Sequence, residues 1–174
     1  VKTGFVPTMG ALHKGHLSLI NKSKSENDLT ISSIYVNSTQ FNDPKDFKNY
    51  PRTLDQDIKF LEDEGCDFLF IPDEKEMYPE KPCTGFFFNE LDSVMEGKFR
   101  PGHFNGVALI VIKLLNIIEP VNVYFGQKDL QQYTIINRMI RDLNLSVNCF
   151  SCPTIRDTDG LALSSRNVLL TPVQ

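Results

Sequence analysis

The amino-acid sequence predicts an α/β fold in which helices cover both faces of a parallel β-sheet. Short apolar runs with the length of buried strands alternate along the chain with segments of helical periodicity. The segment 105–118 is apolar almost all round, which is typical of a helix buried between two layers. Alternating strands and helices favour parallel pairing, because each parallel strand needs a long crossover connection.

The first half of the chain predicts three strands and two helices. In order, the segments are strand 3–6, helix 13–25, strand 29–36, loop 37–50, helix 54–64 and strand 67–71. Apolar and β-branched residues mark the strands, and Gly65 ends the second helix. The long polar segment 37–50 contains Asn, Asp and Pro, and loops of that length in compact domains are usually functional or mobile.

The second half continues the alternation. Its segments are an edge strand 84–89 outside the main sheet, helix 105–118, strand 121–125, helix 129–143 and strand 146–150. Pro120 ends the apolar helix, because the residue before a proline disfavours helical geometry. The order predicts a Rossmann-like domain over residues 1–174, with ligands at the carboxyl ends of its strands.

Composition narrows the class of protein. The 174 residues suffice for one domain, and the net charge of −4 includes no basic block, so no nucleic-acid partner is expected. The longest apolar stretch, 107–118, is interrupted by Lys113 and Asn116 and falls short of the ~20 residues of a membrane span. The Cys149–Cys152 pair ends a strand instead of opening a helix, which favours ordinary reduced thiols in a cytoplasmic protein.

Two histidines three residues apart, His13 and His16, follow the first predicted strand. If a helix starts there, both rings lie on its first turn, where free backbone N–H groups and the helix dipole suit a triphosphate. Gly15 lets a nucleotide approach the backbone closely. The alternative is a metal pair or packed histidines, but His103 is the only other histidine, so no metal site is expected.

Further polar residues follow other predicted elements. Ser164, Ser165 and Arg166 place two hydroxyls and a guanidinium side by side, which are the donors that a polyphosphate requires. Lys128 follows a predicted strand at its carboxyl end, where open α/β sheets bind ligands. For each of these residues the alternative is an ordinary polar surface turn.

These segments resemble the two signatures of the class I nucleotidyltransferase superfamily, H-x-G-H and a motif often written K-M-S-K-S. A closer similarity is to the pantothenate synthetase (pantoate–β-alanine ligase) family, over essentially the whole chain and in the family's order. It rests on 7–16 PTMGALHKGH, 35–41 YVNSTQF, 50–53 YPRT, 96–104 EGKFRPGHF, 124–132 YFGQKDLQQ and 159–167 DGLALSSRN.

The resemblance implies that ATP, bound with Mg²⁺, activates pantoate as an acyl adenylate, which the amine of β-alanine then attacks. The implied catalytic residues are His16, His13, Lys128, Ser164, Ser165 and Arg166. His16 is the family's proton donor, although charge stabilisation of the leaving pyrophosphate is the physical role that we favour.

The implied ATP site comprises Met9, Gly10, Ala11, Leu12, His13, Lys14, Gly15, His16, Gly126, Gln127, Lys128, Asp129, Ile155, Leu163, Ser164, Ser165 and Arg166. The implied substrate residues are Gln40, Gln132 and Asn37. Amide groups suit a hydroxy acid because they both donate and accept.

Several points stay open at this level. Asp129 either caps a helix or contacts ribose, and the roles of Arg52 and Arg100 are undecided. Ser38 stands where the family usually has Pro, so we expect a more mobile loop with unchanged chemistry.

The function and the extent of the protein also leave alternatives. A nucleotidylyltransferase of coenzyme biosynthesis and a nucleotide-binding domain without turnover remain alternatives to the ligase. The chain lacks an initial Met and stops at a helix-start pattern, 171–174, so a helix is expected to follow. The resemblance implies that a smaller C-terminal lid domain lies beyond it. We expect a homodimer.

Overall fold

The computed structural model describes residues 1–170 and confirms the α/β prediction. Five parallel strands form one sheet in the order β3-β2-β1-β4-β5. The strands are β1 Thr3–Thr8, β2 Leu29–Ile34, β3 Phe68–Phe70, β4 Asn122–Gly126 and β5 Asn148–Cys152. The helices are α1 Lys14–Glu26, α2 Pro44–Asn49, α3 Leu54–Asp63, α4 Glu74–Met77, α5 Met95–Phe99, α6 His103–Ile118 and α7 Leu130–Asp142. Four short 3₁₀ helices cover Ser38–Gln40, Asn89–Asp92, Gln127–Asp129 and Ser165–Leu169.

Helices pack on both faces of the sheet, as predicted. Successive strand residues point to opposite faces, so Phe5 joins the cluster on the α6 and α7 side while Val6 joins the cluster on the α1 and α3 side. Both residues are fully buried. Helix α6 is buried along most of its length, which confirms the prediction for the apolar segment 105–118.

The strand order places a topological switch at the centre of the sheet. Strand β1 lies between β2 and β4, and the chain leaves β1 and β4 into α1 and α7, on opposite faces. The two connections therefore diverge, which opens a crevice at the carboxyl ends of these strands.

The prediction that 37–50 is one long loop without a helix was wrong. The segment contains the 3₁₀ turn Ser38–Gln40 and helix α2. Asp43 caps α2 by accepting the Lys45 N–H at 2.8 Å, and Pro44 stands at the start of that helix. This Asp-Pro pair is a helix-start signal. The helix was not predicted from it, because six residues are too few to show a periodic apolar pattern.

The predicted edge strand 84–89 was also wrong. Its Phe86 N–H donates to the Asn105 side chain at 2.6 Å, and residues 84–88 pair with no strand in the described chain. Strand β5 begins and ends two residues later than the predicted 146–150, because it pairs with β4 from Asn122↔Asn148 to Gly126↔Cys152. Sequence reasoning did not find α4 or α5. The helix-start pattern at 171–174 lies outside the described residues.

Among the described residues, no helix is long and apolar enough to span a membrane. The four cysteines are free thiols, and Cys149 and Cys152 both lie within β5.

Candidate active site

A cleft lies at the carboxyl ends of β1 and β4, at the switch point of the sheet. Most residues predicted for the site line it: Met9, His13, Gly15, His16, Asn37, Gln40, Gly126, Lys128, Asp129, Gln132, Ile155, Leu163, Ser164, Ser165 and Arg166. The cleft wall does not include Gly10, Ala11, Leu12, Lys14 or Gln127. Leu12 is buried in the core instead, while Lys14 and Gln127 are exposed.

The two histidines cap the helix that they begin. His13 is the residue before α1, and its Nδ1 accepts the Gly15 N–H at 3.1 Å. His16 Nδ1 in turn accepts the His13 N–H at 3.3 Å. These two N–H groups are thus already bonded, which corrects the expectation that they wait for phosphate. Because each Nδ1 accepts, a neutral ring carries its proton on Nε2, which is left as a donor.

Both rings are held neutral by their surroundings. Burial, together with nearby His13 and Lys128, lowers the pKa of His16 to about 3. Burial, followed by Lys128, also lowers the pKa of His13. His16 is therefore a neutral hydrogen-bond donor at pH 7, so any stabilisation of phosphate charge by this residue comes from its Nε2–H group and not from an imidazolium cation. The positive charge beside it belongs to Lys128.

The loop between β1 and α1 is shaped by a residue that sequence reasoning missed. Asp57, buried in α3, accepts the N–H of Ala11 at 2.9 Å and of Leu12 at 2.7 Å. Gly10 and Ala11 both have positive φ angles, 78° and 49°. Gly10, Ala11 and Leu12 therefore set the course of the loop instead of facing the ligand cleft. No sequence signal separated the buried Asp57 from its exposed neighbour Asp55, because both are acids in the first turn of the amphipathic helix α3.

The second signature, 164–166, folds back onto the first. Ser165 Oγ donates to the Ala11 carbonyl oxygen at 2.9 Å, and Ser164 Oγ accepts the Arg166 N–H at 3.3 Å. Arg166 forms a bidentate ion pair with Asp46 of α2, with a closest distance of 2.9 Å. Its guanidinium also lies 5.2 Å from the ring centre of Tyr50. Segments about 150 residues apart thus meet in one cleft, and Asp46 and Tyr50 were not predicted.

Lys128 follows β4 directly, within the 3₁₀ turn Gln127–Asp129, as its position predicted. Its Nζ lies 2.8 Å from Asp129 Oδ1. Asp129 occupies the position before α7, yet its side chain makes no capping hydrogen bond. The capping alternative for Asp129 is therefore wrong.

The two glutamines reach the cleft from different elements. Gln40 is buried, and its Nε2 contacts Met9 Sδ at 3.3 Å while its Oε1 accepts from Asn37 Nδ2 at 3.0 Å. Gln132 lines the cleft from α7, and its side chain has no hydrogen-bond partner among the described residues. The amide of Gln132 is thus available to a ligand.

Asn37 lines the cleft, and its predicted contact with substrate stays a prediction, because its amide is already hydrogen-bonded to neighbouring residues. Its Nδ2 donates to Gln40 and to the Gly106 carbonyl at 3.2 Å, and its Oδ1 accepts from Thr39 and Tyr78, each at 3.0 Å. All four hydrogen-bonding positions of the amide are occupied. Asn37 orients Gln40.

Comparison with known proteins identifies the family. The family model described as pantoate-beta-alanine ligase matches residues 1–174. The chain belongs to the pantoate-beta-alanine ligase family. The pantothenate synthetases of Cytophaga hutchinsonii and Bacteroides thetaiotaomicron are 51% and 54% identical to it over 97% and 98% of the chain. The chain spans about 60% of the length of these curated relatives.

Solved structures of pantoate-beta-alanine ligases share the fold. Pantothenate synthetase from Thermus thermophilus matches with a TM-score of 0.96 and 46% identity, covering 99% of this chain and 63% of that one. The ligase from Francisella tularensis, complexed with beta-gamma ATP and beta-alanine, matches with a TM-score of 0.96 and 50% identity over 98% of this chain and 66% of that one. A tyrosyl-tRNA synthetase from Archaeoglobus fulgidus, at 14% identity and a TM-score of 0.57, shares the fold alone.

Two features of this ligase-family chain bear on the open points. Ser38, at the position where the resemblance led us to expect proline, donates to Glu74 Oε1 at 2.5 Å, and Glu74 Oε2 also accepts from Tyr35 at 2.8 Å. This bond restrains the turn, although the expected mobility stays a prediction. Arg52 donates to the backbone carbonyls of Phe47, Lys48 and Tyr50 and so holds the end of α2.

Proposed function

We propose that this chain carries the site for ATP-dependent ligation of pantoate and β-alanine to pantothenate, by way of pantoyl adenylate. One observation carries the proposal. The cleft at the switch point joins both nucleotide signatures, Lys128 and two glutamines, which together supply donors, cations and uncharged amides. This set suits a reaction in which the protein aligns reactants and neutralises charge.

The chemistry proceeds in two displacements. A pantoate carboxylate oxygen attacks the α-phosphorus of ATP, and pyrophosphate leaves with the electrons of the broken P–O bond. The amine of β-alanine then attacks the acyl carbon, and AMP leaves with the carboxylate oxygen. The amine loses a proton in the second step. Neither displacement requires a covalent bond to the protein.

Residue roles follow from charge and position. We assign phosphate contacts to Lys128 and Arg166 as cations and to His13 and His16 as neutral N–H donors. Fixed donors in a dry site lower the energy of the charge that develops on the phosphates. Ser164 and Ser165 hold the Arg166 segment against the first signature through the bonds described above.

Substrate contacts are assigned to the glutamines. The amide of Gln132 has no partner among residues 1–170 and Gln40 is held beside Met9, so both suit the hydroxyl and carboxylate oxygens of pantoate. The Francisella tularensis ligase complexed with beta-gamma ATP and beta-alanine supports the choice of co-substrates.

Magnesium belongs with the nucleotide in this proposal. The described residues form no cluster of three or more His, Cys, Asp or Glu suited to a metal ion. Mg²⁺ is commonly held by substrate phosphates and one or two carboxylates, and Asp129 is a carboxylate on the cleft wall that fits this mode. When bound, the ion would neutralise phosphate charge.

We further propose a cytoplasmic homodimer. ATP is a cytoplasmic substrate, and the thiols are unpaired. Phe87 and Phe99 leave 81% and 80% of their surface exposed, which favours burial against a second copy. Analytical ultracentrifugation should give twice the chain mass, and Phe87→Ser should weaken the dimer; a monomer at micromolar concentration would contradict the dimer.

Isotope transfer tests the reaction directly. The protein is incubated with ATP, Mg²⁺, β-alanine and pantoate whose carboxylate carries ¹⁸O. The proposed route places one ¹⁸O in AMP for each pantothenate formed, because the acyl oxygen bonded to phosphorus stays with AMP. Unlabelled AMP beside pantothenate would contradict an adenylate. Lys59→Ala is the control for Lys128→Ala, because the Lys59 side chain is exposed on α3 and does not line the cleft.

A further inference from the structure

The turn that carries Gln40 is held from one side by the start of helix α6. Its residue His103 is buried, and His103 Nδ1 lies 2.7 Å from the Gln40 carbonyl oxygen. A carbonyl only accepts, so Nδ1 is the donor and the proton of the neutral ring sits there. The bond fixes the Gln40 backbone from a side chain in the cleft wall.

The same turn approaches α6 so closely that only glycine fits there. A Cβ at Gly106 would lie 2.7 Å from the Gln40 nitrogen and closer still to the Thr39 carbonyl oxygen. The Gly106 carbonyl also accepts from Asn37 Nδ2 at 3.2 Å. The turn that carries Gln40 is therefore held against one turn of α6 both by its backbone and by the side chain of Asn37.

A charged pair holds the ring of His103 in that orientation. Arg100 Nη1 lies 3.3 Å from His103 Nε2 and 2.6 Å from Glu96 Oε1. Because Nδ1 carries the ring proton, Nε2 accepts from the guanidinium. Arg100 Nη2 adds a longer contact of 3.4 Å to the Gln40 carbonyl. The segment 96–103, whose role the sequence left undecided, thus converges on Gln40.

We propose that His103 is a positioning residue for pantoate, acting through the Gln40 backbone, with Gly106 providing the close approach. The inference rests on the proposed function, because it takes Gln40 as a pantoate contact. His103 touches no reacting atom in this account. It sets where the Gln40 amide stands, and small displacements of a positioning group are costly to catalysis.

Three variants test the inference by their effects on Michaelis constants for pantoate-dependent ATP–pyrophosphate exchange. His103→Leu removes the donor, and His103→Asn retains an N–H close to the position of Nδ1. Gly106→Ala pushes the turn away without touching the ring. Leu115→Ala, on α6 and buried away from the cleft, is the control for general loss of stability.

The expected pattern separates positioning from stability. His103→Leu should raise the pantoate KM by about two- to tenfold and leave the ATP KM unchanged, because that factor corresponds to the typical net contribution of one hydrogen bond. His103→Asn should recover most of that loss. Gly106→Ala should raise the pantoate KM by about tenfold or more. Leu115→Ala should lower the melting temperature and leave both KM values unchanged.

Each contrary outcome is decisive. An unchanged pantoate KM in folded His103→Leu would overturn the inference while the proposed function stands. If that variant does not fold, an unchanged pantoate KM in Gly106→Ala has the same meaning. No pantoate-dependent exchange in the unmodified protein would overturn the proposed function, and this inference with it.

Discussion

His16 should make the folded protein sensitive to acid in a range where ordinary carboxylates have little effect. Its pKa of about 3 in the folded state lies well below the ordinary value of 6.5, because the ring is buried beside His13 and Lys128. The unfolded chain therefore binds a proton on His16 near pH 6.5, whereas the folded chain does not bind it until about pH 3. Stability contributed by the neutral ring is present above pH 6.5 and is lost as the pH falls through this window.

The magnitude follows from linkage. Between pH 7.5 and pH 4.5 the loss should be about 2.7 kcal/mol, because each unit of pH below the unfolded-state pKa of 6.5 costs about 1.36 kcal/mol while only the unfolded state is protonated. This figure is an upper limit, since His16 keeps partial exposure to the cleft.

The assay is urea unfolding at half-unit steps from pH 7.5 to pH 4.5, for the unmodified protein and for His16→Gln. Glutamine does not titrate, and subtracting its profile removes the contributions of His13, His103 and the carboxylates. The difference in unfolding free energy between the two proteins should change by about 1 to 2.7 kcal/mol across the range. A difference that stays constant would refute the assignment of a neutral, buried His16.

Three other substitutions test separate parts of the site. Lys128→Ala should slow single-turnover adenylate formation by about 10²–10³ and weaken ATP binding far less; a rate within a few-fold of the unmodified protein would remove Lys128 from the reaction. Gln132→Leu should raise the pantoate KM and leave the ATP affinity nearly unchanged, because an unpaired substrate hydroxyl costs about 1–3 kcal/mol. An unchanged pantoate KM would show that Gln132 does not contact pantoate. Asp46→Asn should tighten ATP binding measured by calorimetry, because the phosphates no longer compete with a carboxylate for Arg166. The gain should be at most about fivefold, since an exposed ion pair contributes up to about 1 kcal/mol, and weaker binding would show that Asp46 instead helps to hold Arg166 for the nucleotide.

The sequence predicted the sheet and its main helices because their signals are local. Strand β4 and helix α6 are apolar along their length, and α1 begins at the two histidines. Helix α2 was missed although Asp43 and Pro44 signal its start, because a six-residue helix offers too short a periodic pattern. Segment 84–89 has the composition of a strand, but the N–H group of its Phe86 donates a hydrogen bond to the side chain of Asn105 instead of to another strand.

Site residues could be named from motifs, but not their partners. The amide of Asn37 is fully hydrogen-bonded within the protein. Two of its partners, Tyr78 and Gly106, are distant in sequence and could not be inferred from the motif. The neutral state of His16 depends on burial and on Lys128, and neither is visible in a pair of histidines. Arg166 meets Asp46 only after folding. Contacts of this kind lie beyond any local pattern.

The central claim is that this cleft activates pantoate with ATP, and ATP–pyrophosphate exchange tests it most directly. The protein is incubated with ATP, Mg²⁺ and labelled pyrophosphate, with and without pantoate, and without β-alanine. We predict label in ATP only when pantoate is present, because adenylate formation is reversible and needs no amine. Absence of exchange with pantoate, in protein shown by calorimetry to bind ATP, or equal exchange without pantoate, would contradict the claim.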